Sequence, residues 1–138
     1  DIVHDLEKFP WPLPDESVDI AVCKHVVEHI DPHGGKFIEF MNECWRVMKY
    51  DSQLAIVTPY GGSGRYLQDP THCNPCTEIT FSYFDPFDEL TEGSLYGIYT
   101  PLPWEIEQRT WGELGDLQVV MKKRRVDTSY HVEKTPKV

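Results

Sequence analysis

The stretch from Ser17 to Ile30, SVDIAVCKHVVEHI, constrains this chain more than any other. Val18, Ile20 and Val22 alternate with Asp19 and Ala21, and the run is apolar and β-branched. That predicts a strand over Val18–Cys23 able to sit inside a sheet. The run then spills into ionisable side chains: Cys23, Lys24, His25, Glu28 and His29. An apolar strand with its chemistry at the carboxyl end is how open α/β sheets build sites, because the crevice lies there.

The flanks extend the pattern. Asp1–His4 reads as a short strand closed by Asp5 and Leu6. Pro10, Pro12 and Pro14, interleaved with Phe9, Trp11 and Leu13, forbid a helix and favour an extended path. Asp31 and Pro32 offer a helix start, although Gly34 and Gly35 weaken the first turn and move the regular helix to about Gly35. Phe37, Met41, Cys44, Trp45 and Met48 then share one face, and core packing against a sheet is the plain reading of that stripe. Tyr50, Asp51 and Ser52 predict a turn into a buried strand over Gln53–Thr58, ended by Pro59. Gly61, Gly62, Ser63 and Gly64 read as a mobile loop, since a phosphate cradle needs a helix directly behind it. A short helix is predicted near Thr77–Phe84, an acidic loop over Asp85–Gly93, and strand pieces over Tyr96–Thr100 and Trp104–Thr110. Leu117–Lys123 completes an antiparallel hairpin with the last of these. The tail from Asp127 is polar and predicted to be loosely held. The 138 residues read as one domain of α/β class, with a partial, mostly parallel Rossmann-like sheet and a terminal antiparallel hairpin.

Composition narrows the partners. With 23 acidic against 13 basic side chains, the net charge of −10 argues against a nucleic-acid backbone or an anionic membrane as partner. Lys122, Lys123, Arg124 and Arg125 form the one basic run and read as a solvated strand end. No apolar run is long enough to span a bilayer, no signal peptide is evident, and the compartment is expected to be cytoplasmic, with reduced thiols. Cys73 and Cys76 are spaced Cys-x-x-Cys with His72 adjacent, but no second pair accompanies them, so no metal is expected there.

The run DLEKFPWPLPDESVDIAVCKHVVEHI, the helix ending in WRVMK, the strand LAIVTPY and the later DPTH segment together resemble class I S-adenosylmethionine (SAM)-dependent methyltransferases, in particular the type 11 subgroup. The resemblance covers about the first 85 residues closely and the terminal hairpin in outline. It implies that Asp5 takes the place of the acid that accepts a hydrogen bond from the adenine amino group, with Leu6 near the ring. It implies that Lys24, His25 and Val26 line the methionine end of the cofactor, that His25, His29 and His72 are candidates for catalysis, and that Asp69 and His72 belong to a lid over the substrate mouth. Transfer of a methyl group is an in-line displacement in which alignment and exclusion of water matter most. A hydroxyl acceptor would add the need for a base, a role suited to histidine.

Two family features are missing from the sequence. There is no glycine-rich GxGxG turn after a first strand and no acid closing a second strand to bind the ribose; the turn usually written KPGG is Lys49-Tyr50-Asp51-Ser52. The chain therefore reads as the carboxyl-terminal part of a methyltransferase, acting on an unknown small molecule, weakly active or inactive alone. The family places its fourth strand beside its first. Val18–Cys23 is thus expected to have a free edge, covered either by Asp1–Leu6 folded back or by a second copy in a homodimer or higher oligomer. The alternatives are a non-catalytic, oligomerising remnant of the fold and a zinc hydrolase. The latter rests on His25-Val26-Val27-Glu28-His29, which spells the inverted zinc-protease motif His-x-x-Glu-His, a motif that requires a continuous helix.

Overall fold

The computed structural model describes residues 1–125; the tail expected to be loose from Asp127 lies outside them. Four strands form the sheet. β1 (Val18–Lys24) runs parallel to β2 (Met48–Pro59), which pairs antiparallel with β4 (Asp116–Lys123), and β4 pairs antiparallel with β3 (Trp104–Trp111), in the order β1-β2-β4-β3. The α/β class and the terminal hairpin are as expected. Among the described residues the sheet is mixed, with one parallel pairing and two antiparallel ones.

One helix covers one face. α1 (Lys36–Val47) follows Gly35, which holds the left-handed φ of 76° at the helix cap. Asp31 does not cap α1; its carboxylate accepts the His33 N–H and opens a separate 3-10 turn, His33–Gly35. Phe37, Phe40, Met41, Cys44 and Val47 of α1 join Leu54 and Ile56 of β2 and Leu117, Val119 and Met121 of β4 in one core. The register Leu54↔Met121 and Ile56↔Val119 puts these strand residues on the same side, and Ala21 and Cys23 of β1 extend it through Leu54 and Ile56. Ile20 and Val22 fall on the opposite side, where nothing covers them, and are 71% and 66% exposed. Their period of two is that of a strand, as predicted, but only one face of that strand is buried.

Several expectations give way to neighbours. Residues 1–4 are irregular and exposed, because a strand needs a partner and none lies beside them among the described residues. Neither does Asp1–Leu6 fold back on β1, whose outer edge is unpaired among the described residues. The turn at Tyr50–Ser52 becomes a bulge inside β2: Asp51 takes a φ of 63°, and the register jumps from Val18↔Met48 to Ile20↔Gln53. The Gly61–Gly64 loop packs against the 75–76 segment at its first residue. Gly61 donates to Cys76 O at 2.8 Å and lies so close to Pro75 that an added Cβ would sit 2.9 Å from the Pro75 Cβ; a four-residue helix, α2 (Gly64–Leu67), follows directly. Tyr96–Thr100 forms the short helix α3 (Tyr96–Tyr99) rather than a strand, ended by Thr100 in a left-handed conformation, with the buried Tyr96 hydroxyl donating to Pro101 O. The helix near Thr77 is a 3-10 turn over Thr80–Phe84.

The basic run is solvated at Arg125 but not at Lys123 or Arg124. The alternation of β4 turns Lys123 inward, where its Nζ donates to Met48 O at 2.7 Å and lies 4.0 Å above the Trp45 ring. Arg124 pairs with Asp85 at 2.9 Å and, with Arg109–Asp88 at 2.9 Å, ties the acidic loop to the hairpin. No helix among the described residues is long and apolar enough to cross a membrane.

The proline-rich loop is fastened to α1 by one carboxylate. Glu43 Oε1 accepts the Trp11 N–H at 2.6 Å and Arg46 Nη2 at 2.5 Å, while Arg46 Nη1 continues to Leu13 O and to Asp15. The Arg46 guanidinium, aided by the Trp11 N–H, holds the Glu43 carboxyl below its usual range. A carboxyl depressed in the folded state stabilises above the unfolded value, and that contribution is lost as pH falls through the folded value. Glu43→Gln should cost about 1.5–3 kcal/mol at neutral pH, the worth of hydrogen bonds to a charged group, and the deficit should shrink below about pH 4. Denaturant titrations at pH 7 and pH 3.5 check both; an equal deficit at the two values would refute the charge-based account.

Candidate functional site

The carboxyl ends of β1 and β2 meet the amino end of β4 at one edge of the sheet, through the pairs Lys24↔Val57 and Pro59↔Asp116. β1 stops there because His25 adopts a left-handed φ of 55° while its N–H still reaches Val57 O at 2.8 Å. A 3-10 turn, Val27–His29, follows immediately. His25, Glu28 and His29 thus lie on a tight loop and not along one helix. The inverted zinc-protease arrangement lacks the helix it requires.

That loop is stapled to a distant segment. Glu28 O accepts the N–H groups of Cys73 and Asn74 at 2.9 and 3.1 Å, and the buried Asn74 side chain donates to Val27 O at 3.0 Å. His72 is thereby carried over His29, with the two ring centres 4.8 Å apart. Tyr66 of α2 also stacks on His72, its ring centre 5.1 Å away. Burial pushes the Tyr66 hydroxyl up from its ordinary value. A cavity of about 240 Å³ results, lined by His25, Glu28, His29, Arg65, Asp69 and His72 among others. All three histidines proposed for catalysis, and both lid residues Asp69 and His72, therefore converge.

Hydrogen bonds fix the rings. His72 Nδ1 lies 2.8 Å from Tyr66 O, a carbonyl that only accepts, so Nδ1 carries the proton and Nε2 bears the lone pair in the neutral ring. The Thr71 hydroxyl donates to Asp69 Oδ1 at 2.6 Å and so presents its lone pairs to His29 Nδ1 at 3.3 Å. The same logic leaves the lone pair of His29 on Nε2. The Thr71 hydroxyl, then the Thr71 N–H, hold the Asp69 carboxyl below its usual range. His25 stands between two carboxylates, Nδ1 at 3.4 Å from Glu28 Oε1 and Nε2 at 3.7 Å from Asp116 Oδ2.

Glu28 is the residue that the family resemblance did not assign. It is 1% exposed; Thr58 Oγ1 donates to Oε2 at 3.0 Å, and Oε1 has no hydrogen-bond partner. Thr58 and Asp116 were not singled out either, although both lie at strand ends facing the same edge. The Cys-x-x-Cys pair adds nothing to the cavity: Cys73 is exposed, and burial pushes the Cys76 thiol up to about 12.

Of the residues assigned to the cofactor, Leu6 and Val26 fall in a second concavity, while His25 lines the first. Leu6 and Val26 line an apolar groove of about 270 Å³ between α1 and the edge of β1, with Trp11, Leu13, Val22 and Phe40. Asp5 is adjacent to Leu6, in a turn where its carboxylate accepts the Glu7 N–H at 3.0 Å. Lys24 ends β1 with its side chain exposed, outside both concavities. One loop divides the two: Val26 faces the groove, and His25, Glu28 and His29 face the cavity.

A family described as a methyltransferase domain matches residues 2–56. No curated protein sequence matches the chain. Among solved structures, a SAM-dependent methyltransferase from Archaeoglobus fulgidus is similar at a TM-score of 0.60 and 21% identity, over 88% of this chain and 66% of that one. The YcgJ protein of Bacillus subtilis is similar at 0.54 and 15% identity, over 89% and 70%. A SAM-dependent methyltransferase from Methanosarcina mazei is similar at 0.52 and 17% identity, over 88% and 66%. The chain thus spans just under two thirds of the first of these proteins.

Asn74 carries the staple between the two halves of the cavity. Asn74→Ala should destabilise the chain by about 0.5–1.5 kcal/mol, because it removes one buried hydrogen bond from the Val27 carbonyl and leaves that oxygen with the Ile30 N–H, and it should raise amide exchange at Cys73 and Asn74 first. Unchanged exchange there would show that the lid is held by other contacts.

Proposed function

On the premise that this chain has the class I SAM-dependent methyltransferase fold, we propose that it serves methyl transfer from SAM to a hydroxyl of a small molecule. The observation that carries this reading is the shared wall: one loop, residues 25–29, bounds an apolar groove on one side and a polar, histidine-lined cavity on the other. A donor with a flat apolar adenine and an acceptor that must lose a proton need two such compartments in contact. The groove suits the adenine end, with Leu6 and Val26 against the ring and Asp5 next to Leu6 in the chain. When bound, SAM supplies a methyl group on a sulfonium carbon. His25, braced between Glu28 and Asp116, takes the acceptor's proton, and the lid of Asp69–His72 limits water.

The groove is open along the edge of β1, and the sequence holds no glycine-rich turn to approach the cofactor's ribose and methionine. We therefore propose that this chain alone supplies one wall of the cofactor site and binds weakly. Added S-adenosylhomocysteine should shift the NMR signals of Leu6, Val22 and Val26, with a dissociation constant above about 100 μM, weaker than about −5.5 kcal/mol. Val26→Asp should abolish the shifts. No shift in the wild-type chain would overturn the groove assignment, and low-micromolar affinity would overturn the single-wall account.

The exposed, unpaired edge carrying Ile20 and Val22 supports the proposal that a second copy adds its own β1 there. The four cysteines stand as free thiols, which supports a reducing, cytoplasmic compartment.

A further inference from the structure

We propose that Glu28, His29 and His72 form a binding site for a first-row divalent cation. The three residues each offer one ligand atom, and these atoms all lie within 4.8 Å of one another. Three further observations point to an ion rather than to a cluster satisfied by itself.

The first is Glu28. A carboxylate oxygen that is buried without a hydrogen bond costs free energy, and the native chain keeps one, Glu28 Oε1, facing the cavity with His25 Nδ1 3.4 Å away. Its other oxygen is engaged by Thr58, which fixes the orientation of the group. The second is the pair of tautomers. Both His29 and His72 use Nδ1 toward an outer acceptor, Thr71 Oγ1 and Tyr66 O, which leaves the lone pair on Nε2; that of His72 lies 3.7 Å from Asp69 Oδ2. Metal-bound histidines are held in this way, with the distal N–H on a carbonyl or on a relay to a carboxylate; here the relay runs through Thr71 to Asp69. The third is the staple. The Cys73 and Asn74 bonds to the loop bring His72 beside His29 from a distant stretch of chain.

Two imidazoles and one carboxylate suit Zn²⁺ or Mn²⁺ better than the all-oxygen shells of Mg²⁺ and Ca²⁺, and three protein ligands leave coordination positions open. Around one such ion, donors sit about 3–3.5 Å apart, so the triad must close slightly. The exposed His29 ring has room to do so. The site lies on the polar side of the dividing loop, and its open positions face the cavity. On the proposed methyl-transfer reading, the ion would hold an oxygen of the acceptor and orient it toward the groove, leaving His25 as the base. The binding itself does not depend on that reading.

The test uses metal alone on the full chain. Calorimetry with Zn²⁺ and electron paramagnetic resonance titration with Mn²⁺ should show one ion per chain, at micromolar affinity or tighter for Zn²⁺. His29→Gln and Glu28→Gln should each weaken binding at least tenfold while the circular dichroism spectrum is kept. Cys73→Ser should leave it unchanged. Zn²⁺ should also move the Nε2 resonances of His29 and His72 in a long-range nitrogen–proton spectrum and spare those of His4 and His33. If Glu28→Gln fails to fold, His29→Gln, at an exposed position, decides. Wild-type binding no tighter than millimolar, full affinity in His29→Gln, or loss of binding in Cys73→Ser would each overturn the site. None of these readouts involves methyl transfer, so failure of the metal site and failure of the functional reading are distinguishable.

Discussion

A carboxylate taken out of water must find partners for its oxygens or destabilise the fold. Glu28 is almost fully buried, yet only one of its side-chain oxygens is hydrogen-bonded within the chain. Its backbone carbonyl, by contrast, takes two N–H groups from the 73–74 segment. The residue therefore does two separate things: its main chain organises the lid, and its side chain presents charge to the cavity. Replacing the side chain would leave the lid bonds in place, so the structural role does not require a carboxylate at all. What the carboxylate adds is a localised negative charge between His25 and the His29–His72 pair, in a setting with little water to screen it.

The rest of the molecule supports that corner unevenly. One face of the sheet is packed by α1, and the proline-rich loop is clamped to that helix by Glu43 and Arg46. The hairpin is clamped to the acidic loop by Arg109 and Arg124. The opposite face of β1 and its outer edge have no such cover among the described residues. Parallel strands are ordinarily buried on both faces. Ile20 and Val22 have the composition of that environment without its contacts, and the groove beside them opens on the same edge.

Period and punctuation made the framework legible. The alternation in Val18–Cys23, the 3.6-residue stripe from Phe37 onward and the hairpin of Trp104–Thr110 with Leu117–Lys123 each correspond to an observed element. What was not legible depended on partners distant in sequence. Tyr96–Thr100 has strand-forming residues but no strand to bond, so it coils into a turn of helix. Lys122–Arg125 looked like a solvated charge run, because sequence does not show that β4 turns Lys123 toward Trp45 and Met48. The histidines were legible by type and by resemblance. Their shared orientation was not, because it rests on Thr71 and Tyr66, neither of which carries a recognisable motif. Glu28 was legible as one of the ionisable groups beyond the strand and within a helical motif that the backbone does not form; its burial was not legible.

The division between groove and cavity comes down to one backbone torsion. A strand continued through His25 would have alternated its side chains across the sheet and carried Val26 and Glu28 along the same edge. The left-handed turn at His25 ends that alternation. It costs of order 1–3 kcal/mol at a residue other than glycine, although histidine is among the side chains that tolerate it better than most. The hydrogen bond from the His25 N–H to Val57 O keeps the residue registered with β2 while its chain direction changes. Val26 is then released toward α1 and the apolar groove, and the 3-10 turn that follows sends Glu28 and His29 into the polar cavity. A glycine at position 25 would relieve the strain but remove the imidazole that bridges Glu28 and Asp116. The chain thus holds, at one position, a side chain set between two carboxylates and a conformation that side chains other than glycine disfavour. Positive φ values also occur at Glu16, Asp51, Glu92 and Thr100, so what sets His25 apart is not the strain itself but where the turn falls, between the groove and the cavity.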